Sequence, residues 1–439
     1  MLPALKKLSL LDLQIARLPE SFHQLASLEA FHLSHCTAHF RFPAAFGDLT
    51  ALRSLYILIA PNLILPDDIG ELTNLHTLHF SRNHLQELLP SSFMQLTSLT
   101  RLELVDCAIV QLPGDMGRLG NLRELIIQLF TSITEIPHSL TDLVNLEVLK
   151  VLGCRNVSSF PTSLSSLARP KELALAKLPQ LPQLLPSLPR SLEILSLGTY
   201  QRLTPFLAIP ALPNLRRLSL ISVAFMRGMV AGMALPAVEH VELSLVGEAE
   251  DLPLPLDLVP NLRSVRIASA GRLKSFPKKP VPFKIIFQLM NRLEIQQAVK
   301  LKELTESVTA LHRLTSIEIH APELASLPDG IGSLSRLRRL NLAGCSPLAS
   351  LPASLTQLSC LHDLNLACTS VRSLPCNFGQ LSRLKYLDLH ACRKLVALPE
   401  DITQLEMLHS LNISGCDDDI DTDCLCGMHG LRIIRTCDN

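Results

Sequence analysis

The segment Leu340 to Leu366, LNLAGCSPLASLPASLTQLSCLHDLNL, begins and ends on the same short motif, in which leucines alternate with other residues. Leucines two positions apart point to the same side of a β-strand, and the residues between and beside them point to the other side. Between the two motifs, a Leu-Pro step is followed by apolar residues at a spacing of three, which suits a short helix or 3-10 turn. The segment therefore predicts two strands joined through a turn.

The motif LxxLxL recurs in nineteen copies along the 439 residues. Its spacing is 23 or 24 residues, with one shorter step of 22 and one longer step of 28. A fixed period of this length predicts a solenoid, in which each unit packs only on its neighbours. The first apolar position of each copy is Leu5, Leu28, Leu52, Leu75, Leu99, Leu122, Leu146, Pro170, Leu192, Leu215, Val238, Leu262, Met290, Leu314, Leu337, Leu361, Leu384, Leu408 and Leu431.

The predicted fold class is an α/β solenoid of horseshoe shape. A parallel β-sheet forms its concave face, and short helices and 3-10 turns form its convex face. The repeats leave no room for a separate domain, so residues 1–439 form a single solenoid. We divide it into a regular array (1–267), an irregular stretched region (268–313), a second regular array (314–416) and an atypical C-terminal repeat (417–439).

Composition limits the partners of the chain. Lys plus Arg and Asp plus Glu each total 40, so net charge gives no general attraction to nucleic acid or to an anionic membrane. The N-terminus lacks the features of a signal peptide. The most apolar stretch, Leu218 to Val238, contains Arg227 and Pro236, which argues against membrane insertion. Met1 enters the first repeat without a capping helix, from which we expect an N-terminal truncation.

Half of the 12 cysteines lie three residues after the last leucine of the motif, a position that we call the ladder position. A side chain there is expected to be buried and to cap backbone groups of the turn that leaves the sheet. This predicts free thiols and a cytosolic location, because disulfides belong to oxidising compartments. The sequons at Asn156 and Asn412 are then chance matches. The ladder residues are Cys36, Asn83, Cys107, Cys154, Cys345, Cys392 and Cys416.

The segments Leu340 to Leu366 and Leu387 to Ile413 resemble leucine-rich repeats of the LxxLP type. Such repeats occur in intracellular Ras-group proteins, in plant disease-resistance proteins and in effectors that plant-pathogenic bacteria inject into host cells. The resemblance implies a protein-binding scaffold in signalling or host–pathogen interaction, located in the cytoplasm or delivered into a host cytosol. Two alternatives stay open: the substrate-recognition part of a ubiquitin-ligase-type effector, and a fragment of a larger immune receptor.

The C-terminal end is rich in potential metal ligands, which suggest two hypotheses. Asp419, Asp421 and Asp423 match the first ligands of an EF-hand loop, but Cys424 replaces the required glycine and Gly430 replaces the final glutamate. A zinc site is the second hypothesis, although its spacing is not that of a standard finger or ribbon. Its ligands would be Cys424, Cys426, His429 and Cys437.

Cys416 beside Asp417 is similar to the Cys-x-Asp motif of certain bacterial ubiquitin ligases, but Cys416 occupies a ladder position and should be buried. Terminal repeats of solenoids are commonly irregular. We therefore interpret residues 417–439 as an atypical last repeat, and we predict no catalytic residue, metal or cofactor.

The outward positions beside the middle leucine form two columns across copies ten to seventeen. Arginine and tyrosine are favoured interface anchors, and mixed charge suits a protein partner better than a polyanion. Neighbouring arginines and glutamates that merely pair on the surface would explain the pattern as well. The candidate partner-binding residues are Arg217, His240, Glu242, Arg266, Arg292, Glu294, Glu318, Arg339, Asn341, Asp363, Asn365, Tyr386 and Asp388.

Two irregular segments interrupt the regular repeats. Ser269 to Phe287 lies within the stretched repeat, and Ile221 to Leu235 holds three of the nine methionines, Met226, Met229 and Met233. Loops on a rigid scaffold often carry function, and methionine-rich surfaces adapt to partners. Repeats that have drifted and only fill space would look the same.

Overall fold

The computed structural model describes residues 4–37, 40–83, 88–181, 187–198, 212–221, 235–244, 260–274, 289–417 and 420–435. Two compact units divide the chain: unit 1 is Met1–Leu215 and unit 2 is Arg216–Asn439. The two irregular segments of the sequence fall largely on residues 222–234 and 275–288, outside the described residues. The four-part division predicted from the sequence stays a prediction.

Unit 1 contains nine described strands, and each pairs in parallel with the next along the chain. The register joins equivalent positions of successive copies, as in Leu55 opposite Leu78. The strands are β1 (Lys7–Leu10), β2 (Ala30–Ser34), β3 (Ser54–Leu58), β4 (Thr77–Asn83), β5 (Arg101–Cys107), β6 (Glu124–Gln128), β7 (Val148–Leu152), β8 (Glu172–Ala176) and β9 (Ile194–Gly198).

Unit 2 repeats the same arrangement with ten described strands, again parallel and in chain order. The strands are β10 (Arg217–Ile221), β11 (His240–Ser244), β12 (Ser264–Ala268), β13 (Arg292–Ile295), β14 (Ser316–Ile319), β15 (Arg339–Asn341), β16 (Asp363–Asn365), β17 (Tyr386–Asp388), β18 (Ser410–Asn412) and β19 (Arg432–Ile434).

Short 3-10 helices follow most strands, and no α-helix is assigned in the described ranges. Several begin directly after a proline, such as Pro328 and Pro352, whose extended backbone turns the chain into the helix. In unit 1 they are Glu20–Gln24, Phe46–Asp48, Ile69–Glu71, Ser91–Gln95, Met116–Arg118 and His138–Asp142; in unit 2 they are Glu306–Ala310, Asp329–Ser333, Ala353–Gln357, Phe378–Gln380, Glu400–Gln404 and Asp423–Gly427.

The core of each unit consists mainly of the motif leucines, which are almost fully buried, as at Leu55, Leu78 and Leu340. Burial alternates along the strands, as the period-two pattern predicts. Aromatic rings contribute locally in unit 1, where Phe22 and Phe31 lie 5.1 Å apart between ring centroids. The core is therefore mainly aliphatic.

Ladder residues such as Asn83 and Cys392 cap backbone groups of the turn that leaves the sheet, as predicted. The Asn83 side chain is 1% exposed; its Oδ1 accepts the Ala60 N–H at 2.7 Å, and its Nδ2 donates to the Ile57 carbonyl at 2.8 Å. The cysteines follow the same scheme: the Cys392 thiol donates to the Leu366 carbonyl at 3.1 Å. The ten cysteines with described side chains are free thiols.

Candidate partner-binding face

The sheet register of unit 2 aligns the predicted columns in space. Along one column, Arg217 lies opposite His240, which lies opposite Ser264, and the pairing continues in the same way to Tyr386. Along the other, Glu242 faces Arg266 and Arg266 faces Glu294. We call the outward side of β10 to β17 the unit-2 strand face. All thirteen candidate residues lie on it.

A network of ion pairs occupies the centre of this face. Arg266 Nε lies 3.1 Å from Glu294 Oε1, and Arg292 Nη2 lies 3.1 Å from Glu294 Oε2. Arg266 also approaches Glu242 at 3.7 Å, and Arg292 approaches Glu318 at 3.8 Å. Because each arginine has two acidic neighbours, the guanidinium groups are held in place before any partner arrives.

The sequence predicts that the Glu294 side chain points outward into solvent, but the structure shows it buried. Only 7% of it is exposed, because the side chains of Arg266 and Arg292 flank it and Gln296 donates a hydrogen bond to its Oε1. A buried carboxylate needs such partners to offset its loss of hydration. Glu294 therefore holds the two arginine side chains in place, and little of its own surface is accessible to a partner.

A hollow of about 400 Å³ opens beside this network. Within it, His240 Nδ1 lies 2.6 Å from Ser264 Oγ. Burial, and then the charge of Arg217, lowers the pKa of His240 below its ordinary value, which favours the neutral imidazole. A neutral ring that accepts the Ser264 hydroxyl at Nδ1 carries its N–H at Nε2. The polar lining residues are Arg217, His240, Glu242, Ser264, Arg266, Asn291, Arg292 and Glu294.

The Ser264–His240 contact has none of the further partners that a catalytic serine needs among the described residues. In the part of the chain that the structure describes, no carboxylate is hydrogen-bonded to His240 to orient it. The Ser264 N–H donates to the Glu239 carbonyl within the sheet, so it is not available for an oxyanion.

At the other end of the face, three predicted binding residues have a structural hydrogen bond. The side-chain oxygens of Asn341, Asn365 and Asp388 accept the backbone N–H two residues later at 3.1, 2.9 and 2.9 Å. They thereby hold the turn that leaves each strand. The signal in the sequence was the run of Asn or Asp at this position, which continues at Asn412 in the next copy.

The remaining candidates at that end are more available to a partner. Tyr386 is 53% exposed, and tyrosine is one of the residues enriched at binding interfaces. Arg339 pairs with Asp363 at 3.2 Å, and the arginine side chain is mostly exposed. Such a surface pair contributes little to stability and can exchange partners.

Comparison with known proteins identifies the repeat. The family described as a leucine-rich repeat region matches residues 329–437, and the leucine-rich repeat family matches residues 74–96; together they cover less than half of the chain. A leucine-rich-repeat protein of Leptospira interrogans aligns over 89% of this chain and 92% of its own, with a TM-score of 0.60 and 25% identity. The chain has the fold of a leucine-rich-repeat solenoid.

Two further solved structures align with most of this chain at lower similarity. The Arabidopsis receptor kinase HAESA, in complex with the peptide hormone IDA and the co-receptor SERK1, aligns over 94% of this chain and 78% of its own, with 18% identity and a TM-score of 0.45. InlJ of Listeria monocytogenes, whose functional domain includes a cysteine ladder, aligns over 87% and 73%, with 16% identity and a TM-score of 0.44. No curated protein matches the sequence.

Unit 1 of the solenoid has an aromatic stripe on its outward strand positions. The ring centroids of His32 and Tyr56 lie 5.8 Å apart, and those of Tyr56 and His79 lie 6.0 Å apart. His79 Nδ1 approaches Glu103 at 3.3 Å. The predicted binding residues do not include this stripe. The sequence could have revealed it, because histidine or tyrosine occupies the same outward position in three consecutive copies of the motif.

The C-terminal repeat of the solenoid provides no evidence for its metal hypotheses. No group of three or more metal-ligating side chains is found in the described ranges. Asp419 and Cys437, which the calcium and zinc hypotheses respectively need, lie outside those ranges. Asp421 Oδ1 instead accepts the Asp423 N–H at 2.8 Å, a local turn. No helix among the described residues has the length and apolar character to cross a bilayer.

Cys416 is a ladder residue that is half-buried, not fully buried as the sequence predicted. Burial raises the pKa of its thiol to about 11, and its Sγ donates to the Leu389 carbonyl at 3.0 Å. The thiolate, which is the reactive form, is therefore scarce at neutral pH.

Alkylation should separate the ladder cysteines from the exposed ones. With iodoacetamide at pH 8, we expect modification of Cys368, Cys376 and Cys426, and protection of Cys107 and Cys154 until denaturant is added. Burial raises the pKa of Cys107 to about 12 and that of Cys154 to about 11, so their protection should persist as pH rises towards those values. Peptide mass spectrometry reads each site. Modification of Cys154 as fast as Cys426 would contradict the ladder assignment.

Proposed function

We propose that this chain is a protein-binding scaffold that holds its partner on the unit-2 strand face. The observation that carries the proposal is the continuous field of Arg, Glu and Asp side chains along β10 to β17, aligned by the sheet register and indented by the hollow. The exposed ring of Tyr386 adds an aromatic anchor at the other end.

The charge pattern favours a protein over a nucleic acid. The central arginines alternate with Glu242, Glu294 and Glu318, so the face has no uninterrupted positive stripe to follow a phosphate backbone. Arginines that are already ordered by ion pairs lose less conformational entropy on binding than free side chains do. A partner with complementary acidic and basic side chains fits this surface.

The context that we propose is signalling or host–pathogen interaction in the cytoplasm, or in a host cytosol after delivery. The resemblance of the Leu340 to Leu366 segment to LxxLP-type repeats supports the context, and the unbridged ladder thiols support a reducing compartment. The alternatives are the substrate-recognition part of a ubiquitin-ligase-type effector and a fragment of a larger immune receptor. Ubiquitin transfer by the chain with a generic conjugating enzyme would favour the former.

Peptide selection tests the binding face and does not require an identified partner. A phage library of random 20-residue peptides is selected on the immobilised wild-type chain, and enriched peptides are titrated against variants. The face variant combines Arg217→Glu, Arg339→Glu and Tyr386→Ala, three exposed side chains. Arg292 is left intact because its loss would remove one of the partners of the buried carboxylate of Glu294.

The matched control combines Arg313→Glu and Arg336→Glu, which change two exposed arginines outside the outward columns. We expect the face variant to bind the enriched peptides about tenfold or more weakly than wild type, since interface anchors contribute most of the affinity. The control variant should bind as wild type does. Equal loss in both variants, or no enriched peptide that needs the face, would refute the proposal.

A further inference from the structure

The hollow at β10 to β13 has an excess of hydrogen-bond donors. Arg217 is exposed and forms no ion pair with any carboxylate of the described residues, whereas Arg266 and Arg292 both pair with Glu294. Arg217 lies opposite His240 in the register of β10 and β11. Among the described residues, the guanidinium of Arg217 has no acceptor, and neither has the Nε2–H that His240 carries when its Nδ1 accepts the Ser264 hydroxyl.

The charges of the hollow limit what it can receive. Of the three arginines in its lining, Arg266 and Arg292 each have two carboxylate partners, and Arg217 has none among the described residues. A single carboxylate balances the charge of Arg217. A dianionic phosphate would bring a second negative charge close to Glu242 and Glu294, and a lysine side chain would meet Arg217.

We propose that the hollow receives one acidic side chain, aspartate or glutamate, from the bound protein segment, with its carboxylate held between the Arg217 guanidinium and the His240 Nε2–H. This inference rests on the proposed function, and it specifies that the partner places a carboxylate beside β10 and β11. The volume of about 400 Å³ accommodates such a side chain together with its adjoining backbone. The ion pairs of Glu294 keep Arg266 and Arg292 as the far wall.

Acetate serves as a probe of the hollow that needs no partner. The Hε1 and Cε1 signals of His240, assigned with a His240→Asn variant, are followed through a pH titration in sodium acetate and in sodium chloride of equal ionic strength. A bound carboxylate favours the protonated imidazole, so acetate should raise the pKa of His240 relative to chloride. The shift should disappear in Arg217→Gln and persist in the control Arg313→Gln. Identical titrations in the two salts would overturn the proposal.

Peptides from the face selection provide the second arm. Replacing the critical Asp or Glu of a peptide by Asn or Gln should weaken binding to wild type about tenfold, as loss of a charge-assisted hydrogen bond does. The same replacement should have little effect on binding to Arg217→Gln. If peptides lose binding to the face variant, but replacing each of their Asp and Glu residues does not weaken binding to wild type, this inference is overturned and the proposed function stands. Failure to select face-dependent peptides would remove the proposed function, and the acetate titration would then decide the hollow by itself.

Discussion

Gly332→Ala is expected to lower the free energy of unfolding of the chain by about 3 kcal/mol, which is the upper range for overpacking a filled site. A Cβ at Gly332 would lie 2.1 Å from the Ser354 carbonyl oxygen and 2.9 Å from Gln357 Oε1. The 3-10 helices Asp329–Ser333 and Ala353–Gln357 approach each other closely at this point. Because the first obstacle is backbone, a rotamer change cannot relieve the clash.

Gly427→Ala is the matched control for this substitution. Gly427 also lies in a 3-10 helix of unit 2, but a Cβ there would meet no heavy atom within 4 Å. Urea denaturation followed by circular dichroism measures both variants, and hydrogen exchange locates the weakened repeats. If the two alanine variants were equally stable, the close approach of successive 3-10 helices would not be a determinant of the packing of unit 2.

Asn83→Ala is expected to destabilise unit 1 by about 3 kcal/mol, because each orphaned buried polar group costs about 1–3 kcal/mol. The substitution leaves the Ala60 N–H and the Ile57 carbonyl without their side-chain partner in a site that water does not reach. The methyl group of alanine replaces neither hydrogen bond.

Asn83→Cys is the informative comparison, because cysteine occupies the ladder position in other copies. At Cys154 the thiol donates to the Ile127 carbonyl at 3.9 Å, and the Phe130 N–H donates to the sulfur, which lowers the thiol pKa against the larger effect of burial. Cysteine thus repeats both roles of asparagine with longer, weaker bonds. We expect a loss of about 1 kcal/mol, the net value of a typical hydrogen bond, in the same urea experiment. Equal losses for alanine and cysteine would show that the hydrogen bonds at this position are not what stabilises it.

Periodicity explains why so much of the site could be predicted. A repeat of 23 or 24 residues places equivalent residues opposite each other in a parallel sheet, so Arg217 and His240 were predictable neighbours from spacing alone. The ladder position was equally readable, because its distance from the last strand leucine is constant. Neither inference depends on a particular side-chain conformation.

The contacts within the columns could not be predicted in the same way. Spacing does not reveal that Arg266 and Arg292 both turn towards Glu294, because each long side chain can pair with acidic residues on either neighbouring strand. Nor did it reveal that Asn341 uses its side-chain oxygen on its own turn. Both outcomes depend on rotamers, and several rotamers are compatible with the same backbone.

The sequence by itself determined the repeat, the strand that each motif forms, the direction in which each side chain points and the identity of its cross-strand neighbours. A fixed period and the alternation of a strand suffice for these features. The tertiary structure alone decided which outward side chains are buried, which charges are already paired and where a hollow remains beside Arg217 and His240. These features arise from competition among neighbouring side chains for the same partners and the same space, and that competition is resolved only when the strands are side by side.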